Sequence, residues 1–219
     1  MWYPVMLKMR DKRCLVAGGG PVAERKTAGL LDAGADVSVV GPRLTVKLRE
    51  WAASGAIRAA ERSVEASDLD GAEFVFAATD RPEVNRWIAA EAGARGIPVN
   101  LADDGENGDF LTPAVVRRGD LVLAVSASGA GPALSARIAK ELGDRYGPEY
   151  AHVLNVLRAL RKEIKANVSD PRERKRLLGA AVCDEAIERW LRIARGEEEA
   201  DSAGLLRILE RIANGIGNG

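Results

Sequence analysis

The chain is 219 residues long, 47% hydrophobic and 29% charged, with 32 basic side chains against 32 acidic ones. That length and apolar content suit one large domain, or a medium one with a smaller attachment, and the balanced charge excludes a global field recruiting nucleic acid or an anionic membrane surface. Cys14 and Cys183 stand far apart without metal-ligand spacing, which points to buried, non-catalytic thiols in a reducing cytoplasm.

The apolar run at the N-terminus, within Trp2 to Met9, is too short for a secretory signal and reads as a segment lying against a sheet edge or burying Trp2. No later stretch is long enough to span a bilayer. The first clear element is Cys14 to Ala17, a continuous apolar run of the kind found in buried parallel strands. It stops at Gly18, Gly19 and Gly20, and a helix over Val22 to Leu31 opens with Pro21, whose missing N–H costs nothing at that position. Gly18, Gly20 and Ala23 fit G-x-G-x-x-G/A. In that pattern the first glycine makes a tight turn, the second clears the backbone for a pyrophosphate, and the third position keeps helix and strand close. An ordinary strand-to-helix turn can look the same. The context favours a dinucleotide site, because the motif follows a strand, opens a helix and leads into a second strand at Asp36 to Val40.

Gly41-Pro42-Arg43 follows, then an amphipathic helix from Leu44 to Ala53 with Leu44, Leu48 and Trp51 on one face, Trp51 reading as core. Ile57 to Ala60 reads as a short third strand, Ser67 to Asp70 as a turn or single helical turn, and Glu73 to Ala78 as a fourth strand ending at Thr79-Asp80. A helix over Arg81 to Ala94 precedes a fifth strand, Ile97 to Leu101. This alternation predicts a Rossmann-type, doubly wound α/β parallel sheet, with ligands beyond the carboxyl ends of its strands. The residues at those ends are Gly18 to Val22, Pro42 and Arg43, Thr79 and Asp80, and Asn100 to Asp104. Strand two ends without the acid that often holds the ribose of NAD, and Arg43 is able to meet a 2′-phosphate, so these residues leave NAD and NADP both open.

Past the sheet the pattern changes. Asp103 to Asp109 is acidic and rich in turn formers, a solvated loop whose spacing departs from the full calcium-loop pattern; no metal site is expected. Phe110 to Pro113, Ala114 to Arg117 and Leu121 to Ser126 read as strands of a hairpin joined at Arg118-Gly-Asp120. A second glycine-rich loop, Ser126 to Gly131, precedes Pro132 and a helix bearing Leu134, Ile138 and Leu142. Its backbone donors suit a carboxylate, with Arg137 and Lys140 nearby, and it reads equally as a connector. The remainder is helical, over Glu149–Lys165, Pro171–Cys183, Glu185–Arg195 and Leu205–Ala213. His152 falls on a helix as a structural residue, 197–201 reads as a linker and 214–219 as a frayed tail. The expected division is 1–112 dinucleotide-binding domain, 113–146 a small α+β segment and 147–219 a helical domain.

Five ordered blocks, Val16 to Lys26, Ala77 to Asp80 with Val84-Asn85, Val99 to Asp103, Phe110 to Pro113 and Ser126 to Pro132, resemble the siroheme synthase N-terminal family. Its members are precorrin-2 dehydrogenases, some of them also sirohydrochlorin ferrochelatases. The resemblance runs over nearly residues 3 to 145 and more weakly beyond. It implies NAD-dependent oxidation of precorrin-2, a carboxylate-rich tetrapyrrole, to sirohydrochlorin, and a homodimer built through the 113–146 segment, with metal insertion left open. It places the catalytic aspartate at Asp103 and cofactor contacts at Gly18, Gly19, Gly20, Pro21, Val22, Pro42, Arg43, Thr79 and Asp80. Candidate substrate contacts are Arg117, Arg118, Arg137, Ser126, Ser128 and Gly129. The second loop departs from the family in carrying Ala127 and Gly131 where hydroxyl residues are common, and nothing in the chain resembles the methyltransferase half of the fused enzymes. The competing reading is a non-catalytic NAD(H)-sensing module with a helical signalling arm, in which Asp103 has no role.

Overall fold

The computed structural model describes residues 1–104, 107–200 and 202–216. Parts of three expectations lie outside them: the centre of the 103–109 acidic loop, residue 201 of the linker, and the tail beyond 216. Two compact units are present, Met1–Thr112 with Ser126–Gly131, and Pro113–Val125 with Pro132–Gly219. Among the described residues no helix is long and apolar enough to cross a membrane.

The first unit contains a parallel sheet of β1 (Arg13–Ala17), β2 (Asp36–Val40), β3 (Arg58–Ala60), β4 (Phe74–Ala77) and β5 (Val99–Leu101), in the order β3-β2-β1-β4-β5. Alternate side chains of each strand enter opposite cores, as the period of a strand requires. Cys14, Val16, Val37, Val39 and Phe76 meet Ala23 and Leu30 of α1 (Pro21–Asp32) and Leu48 of α2 (Val46–Ala53). Leu15, Ala17, Val75, Ala77, Val99 and Leu101 meet Ile88 and Ala92 of α3 (Pro82–Ala94). The near-unbroken apolar runs of β1 and β4 follow from burial on both faces. Burial also pushes the Cys14 thiol up to about 12, helped by Glu73 and Asp36, so it stays protonated and inert.

Helix α2 starts at Val46 rather than Leu44, because the Thr45 hydroxyl caps it by accepting from the Leu48 N–H at 3.3 Å. Trp2 to Leu7 has no regular structure and its large apolar side chains are exposed, while Met9 packs on the core. The strand expected at Phe110 to Pro113 is absent. That segment crosses the α1-side face of β4 and β5, where Phe110 packs edge-on to Phe74 and Phe76 at 5.9 and 5.4 Å. Its alternation serves a single aromatic plug and not a ladder.

In the second unit β6 (Ala114–Arg118) and β7 (Leu121–Val125) form an antiparallel hairpin with Gly119 at φ +59. Helix α4 (Pro132–Arg145) packs on it, and Arg118 donates to the Gly143 and Tyr146 carbonyls at the end of that helix, both at 3.0 Å. Four further helices, α5 (Tyr150–Asn167), α6 (Pro171–Ala180), α7 (Asp184–Ala194) and α8 (Ser202–Ile216), enclose a core around Trp190, whose indole N–H donates to the Ala181 carbonyl at 2.9 Å. Helix α8 continues through residues 214–216, part of the expected tail, because Leu205, Leu209 and Ile212 bury one continuous stripe. His152 is exposed on α5, and Cys183 is half-buried.

Candidate functional site

The chain runs outward through β1, β2 and β3 and then returns to place β4 beside β1. Strand order therefore reverses between β1 and β4, where open α/β sheets bind ligands. The triple-glycine turn stands at this point. Gly18 has φ +126, and a Cβ there would overlap the Ala78 carbonyl, while a Cβ on Gly19 would overlap the Arg43 carbonyl. A Cβ on Gly41 would stand 2.7 Å from Gly19 N. Three strand ends thus approach too closely for any larger residue. Gly20 differs, since nothing lies within 4 Å of its Cβ position. The protein's own packing does not demand glycine there, and the bare backbone stands open to a ligand.

Helix α1 begins behind this opening with Gly20 as N-cap, no side-chain cap and Pro21 in its first turn. Its first-turn donors and the positive end of its dipole are available to an anion, and Ala23, fully buried, permits the close seat on the sheet. Pro42 and Arg43 are exposed beyond β2. The turn, the open cradle and the uncapped helix suit a dinucleotide pyrophosphate.

On the other side of the reversal, Thr79 and Asp80 leave β4. The loop is organised by Asn85, which is 1% exposed. Its Oδ1 accepts from the Thr79 hydroxyl at 2.7 Å and the Thr79 N–H at 3.2 Å, and its Nδ2 donates to the Thr79 carbonyl at 3.2 Å. The Thr79 hydroxyl also accepts from the Arg81 N–H at 3.2 Å, so it braces the loop instead of pointing unattached into the cleft. Asp80 is exposed. Next to Asn85 opens a cavity of about 280 Å³, lined by Pro82, Asn85, Arg86, Leu101, Asp103 and Asp104.

Asp103 is exposed two residues past β5, just after the Ala102 N–H bonds to the Ala77 carbonyl at 3.0 Å. The loop carrying it is clamped at its base. Asp109 and Val99 exchange two bonds: the Asp109 N–H donates to the Val99 carbonyl at 2.8 Å, and the Val99 N–H donates to Asp109 Oδ2 at 2.9 Å. Buried Asn100 donates to the Phe110 carbonyl at 2.8 Å and accepts from Lys26 Nζ, which also donates to the Thr112 hydroxyl at 3.1 Å. Desolvation, with help from Arg25, draws the Lys26 ammonium down to about 8, and its Nζ sits 5.7 Å from the Phe76 ring centroid. A helix on one face of the sheet therefore holds both ends of the aspartate loop.

The sequence-predicted cofactor residues and Asp103 all fall in the first unit at the carboxyl ends of the strands. The Ser126–Gly131 loop groups with the same unit. In it Ser128 has φ +52 and Gly129 φ +87, and the Ser128 N–H donates to Ser126 Oγ at 3.1 Å. Both serines and Gly129 are exposed. Arg117, Arg118 and Arg137 lie in the second unit. Arg117 is exposed, Arg118 is engaged by the carbonyls at the end of α4, and Arg137 pairs with Glu141 at 2.9 Å. Sequence reasoning assigned no task to Lys26, Asn85, Asn100 or Asp109. The signal for Asn85 and Asn100 was an amide inside an otherwise apolar helix face or strand, which burial makes obligatory as a hydrogen-bonding centre.

The family model described as putative NAD(P)-binding matches residues 5–114, which takes in the whole sheet, the glycine turn and the clamped aspartate loop. The chain belongs to this NAD(P)-binding family. A siroheme synthase of Methylobacillus flagellatus is 36% identical over 206 residues, covering 94% of this chain and 44% of its own length. One from Chromobacterium violaceum is 35% identical over 228 residues, covering 99% of this chain and 48% of its own. The NAD(P)-binding chain thus spans about half the length of these curated relatives. Among solved structures, SirC, a precorrin-2 dehydrogenase, superposes with TM-score 0.74 at 28% identity, covering 96% of this chain and all of its own.

Proposed function

We propose that this protein oxidises precorrin-2 to sirohydrochlorin with NAD, in the formation of siroheme. One observation carries the reading: the open Gly20 cradle and the Asp103 cavity flank the reversal of strand order in a chain that matches SirC over that protein's whole length. When bound, the nicotinamide supplies the oxidising chemistry by accepting a hydride. The protein's own part is to bind the dinucleotide through the Gly18 to Val22 turn, with Pro42, Arg43, Thr79 and Asp80 along the cleft. Asp103, exposed past β5, takes the proton that must leave as the ring system gains conjugation, and passes it to solvent. The clamp of Lys26, Asn100 and Asp109 fixes the base of that carboxylate's loop, since a general base needs a defined position.

The same reading makes Ser126, Ser128 and Gly129, with Arg117 and Arg137, contacts for a carboxylate-rich substrate, and places the protein in the cytoplasm. It also makes 113–146 a dimerisation segment between the 1–112 and 147–219 domains, supported by the exposure of Val115, Leu134 and Ile138.

The test is anaerobic turnover of precorrin-2 with NAD or NADP, followed by absorption spectra, comparing the parent with Asp103→Asn. We expect kcat to fall by about 10²- to 10⁴-fold, the usual worth of a general base, with cofactor affinity unchanged. A variant that turns over like the parent removes Asp103 from the chemistry, and a parent that binds NAD without oxidising precorrin-2 moves the case to a nucleotide sensor. Supplying sirohydrochlorin with ferrous ion in a parallel arm asks whether metal insertion accompanies dehydrogenation.

A further inference from the structure

We propose that Arg86 binds a carboxylate of the tetrapyrrole substrate in the cavity it shares with Asp103. The inference rests on the dehydrogenase reading above and adds to it a residue that sets substrate affinity.

The polar side chains lining that cavity are Asn85, Arg86, Asp103 and Asp104. Asn85 is occupied by Thr79, and Asp104 accepts from Asn107 Nδ2 at 2.7 Å. Arg86 is the cation among the described lining residues, and it makes no hydrogen bond and no ion pair with another described residue. Two other arginines at the ends of the same helix are paired, Arg81 with Glu83 at 2.8 Å and Arg95 with Glu91 at 2.6 Å. Arg86 feels Glu83 only through space.

Charge gives this vacancy a purpose. Two aspartates in one small cavity repel a polyanionic ligand, yet Asp103 must come close to the macrocycle to take its proton. An arginine on the cavity wall offsets that repulsion and offers a planar fork suited to a carboxylate. Its backbone is already ordered, because the neighbouring Asn85 is buried and anchored through three hydrogen bonds, so little is lost in fixing the contact. A helix start alone would attract any anion. A guanidinium lining the same cavity as Asp103 favours an anion presented beside the oxidised ring.

The experiment varies precorrin-2 and NAD separately with the parent, Arg86→Gln and Arg86→Lys, and titrates sirohydrochlorin by absorbance against each. Thermal unfolding checks the fold. For Arg86→Gln we expect the KM for precorrin-2 and the Kd for sirohydrochlorin to rise about tenfold, the scale of one charge-assisted contact. The KM for NAD and kcat should stay within about twofold, and Arg86→Lys should recover part of the loss by keeping the charge. A rise in the KM for NAD in place of the tetrapyrrole overturns the proposal, as does unchanged tetrapyrrole affinity in a well-folded Gln variant. Absence of turnover in the parent would instead defeat the dehydrogenase reading. The sirohydrochlorin titration still decides Arg86 in that event, because a parent that fails to bind it, or binds it no better than the Gln variant, also overturns the inference.

Discussion

The chain passes twice from a strand through a glycine-rich turn into a helix opened by proline, once at Gly18 to Pro21 and again at Ser126 to Pro132. The first turn is shaped by the rest of its unit. Gly18 and Gly19 lie against the backbone of Ala78 and Arg43, on the loops that follow β4 and β2. At the second, nothing lies within 4 Å of the Gly129 Cβ position, and a Ser128 N–H to Ser126 Oγ bond lies within the turn. At the first site Gly18 and Gly19 are a packing requirement. At the second, Gly129 answers to a left-handed φ of +87 alone, and Ser128 tolerates φ +52 without being glycine. One pattern in sequence thus conceals a turn packed against its neighbours' backbone and a turn with open space at Gly129.

The sharpest way to break this contrast lies inside the first turn. Gly19→Ala should cost more than about 3 kcal/mol, because its Cβ overlaps backbone that cannot yield, and thermal unfolding reads that loss directly. Gly20→Ala should leave stability within about 0.5 kcal/mol of the parent, as at a surface site, while weakening dinucleotide binding about tenfold or more in a fluorescence titration. If both variants lost stability equally, the open cradle at Gly20 would not exist.

A second test concerns how firmly the first site is held. The Lys26 ammonium has a folded value of about 8 against an ordinary 10.5. Between those two pH values the unfolded chain binds more protons than the native one, so this group makes stability rise with pH across the window. Below about pH 8 its desolvation cost is carried in full. Removing the group by Lys26→Met should flatten the rise by about 1–2 kcal/mol, reduced from the ideal linkage value by solvent screening. It also leaves the buried Asn100 oxygen without its lysine donor, which should loosen the Asp103 loop and lower kcat about threefold, a modest loss on the scale of misplaced catalytic groups. Chemical denaturation at pH 7, 8, 9 and 10 checks the slope, in buffers chosen as about these values. Parallel curves for parent and variant would mean that Lys26 is solvated like any surface lysine.

The smallest effect belongs to the second turn. Ser128→Gly removes a left-handed serine and should stabilise by about 0.5 kcal/mol or less, because the gain in the folded state is opposed by a freer unfolded chain. A large loss of stability on this change would show that the loop is braced by its serine, and would erase the difference between the two turns.

Much of the first unit was legible in advance. The β1 run, the glycine turn, Pro21 and the alternation through β5 are written in hydrophobic period and turn chemistry, both of which act over a few neighbouring residues. Phe110 to Pro113 was misread as a strand because an alternating apolar stretch does not reveal whether a neighbouring strand is available. Here no strand is, and Phe110 turns inward as a plug over Phe74 and Phe76.

By itself, then, the sequence determined the order of strands and helices and the anion-ready start of α1, since each depends on residues adjacent in the chain, while the candidacy of Asp103 came from the resemblance to a family. Only the tertiary structure decided that Gly20, unlike Gly18 and Gly19, faces open space, that Lys26 reaches Asn100 from 74 positions away, and that Arg86 shares a cavity with Asp103. Those facts depend on which strand ends meet at the reversal between β1 and β4, and that meeting is set by the packing of both faces of the sheet together.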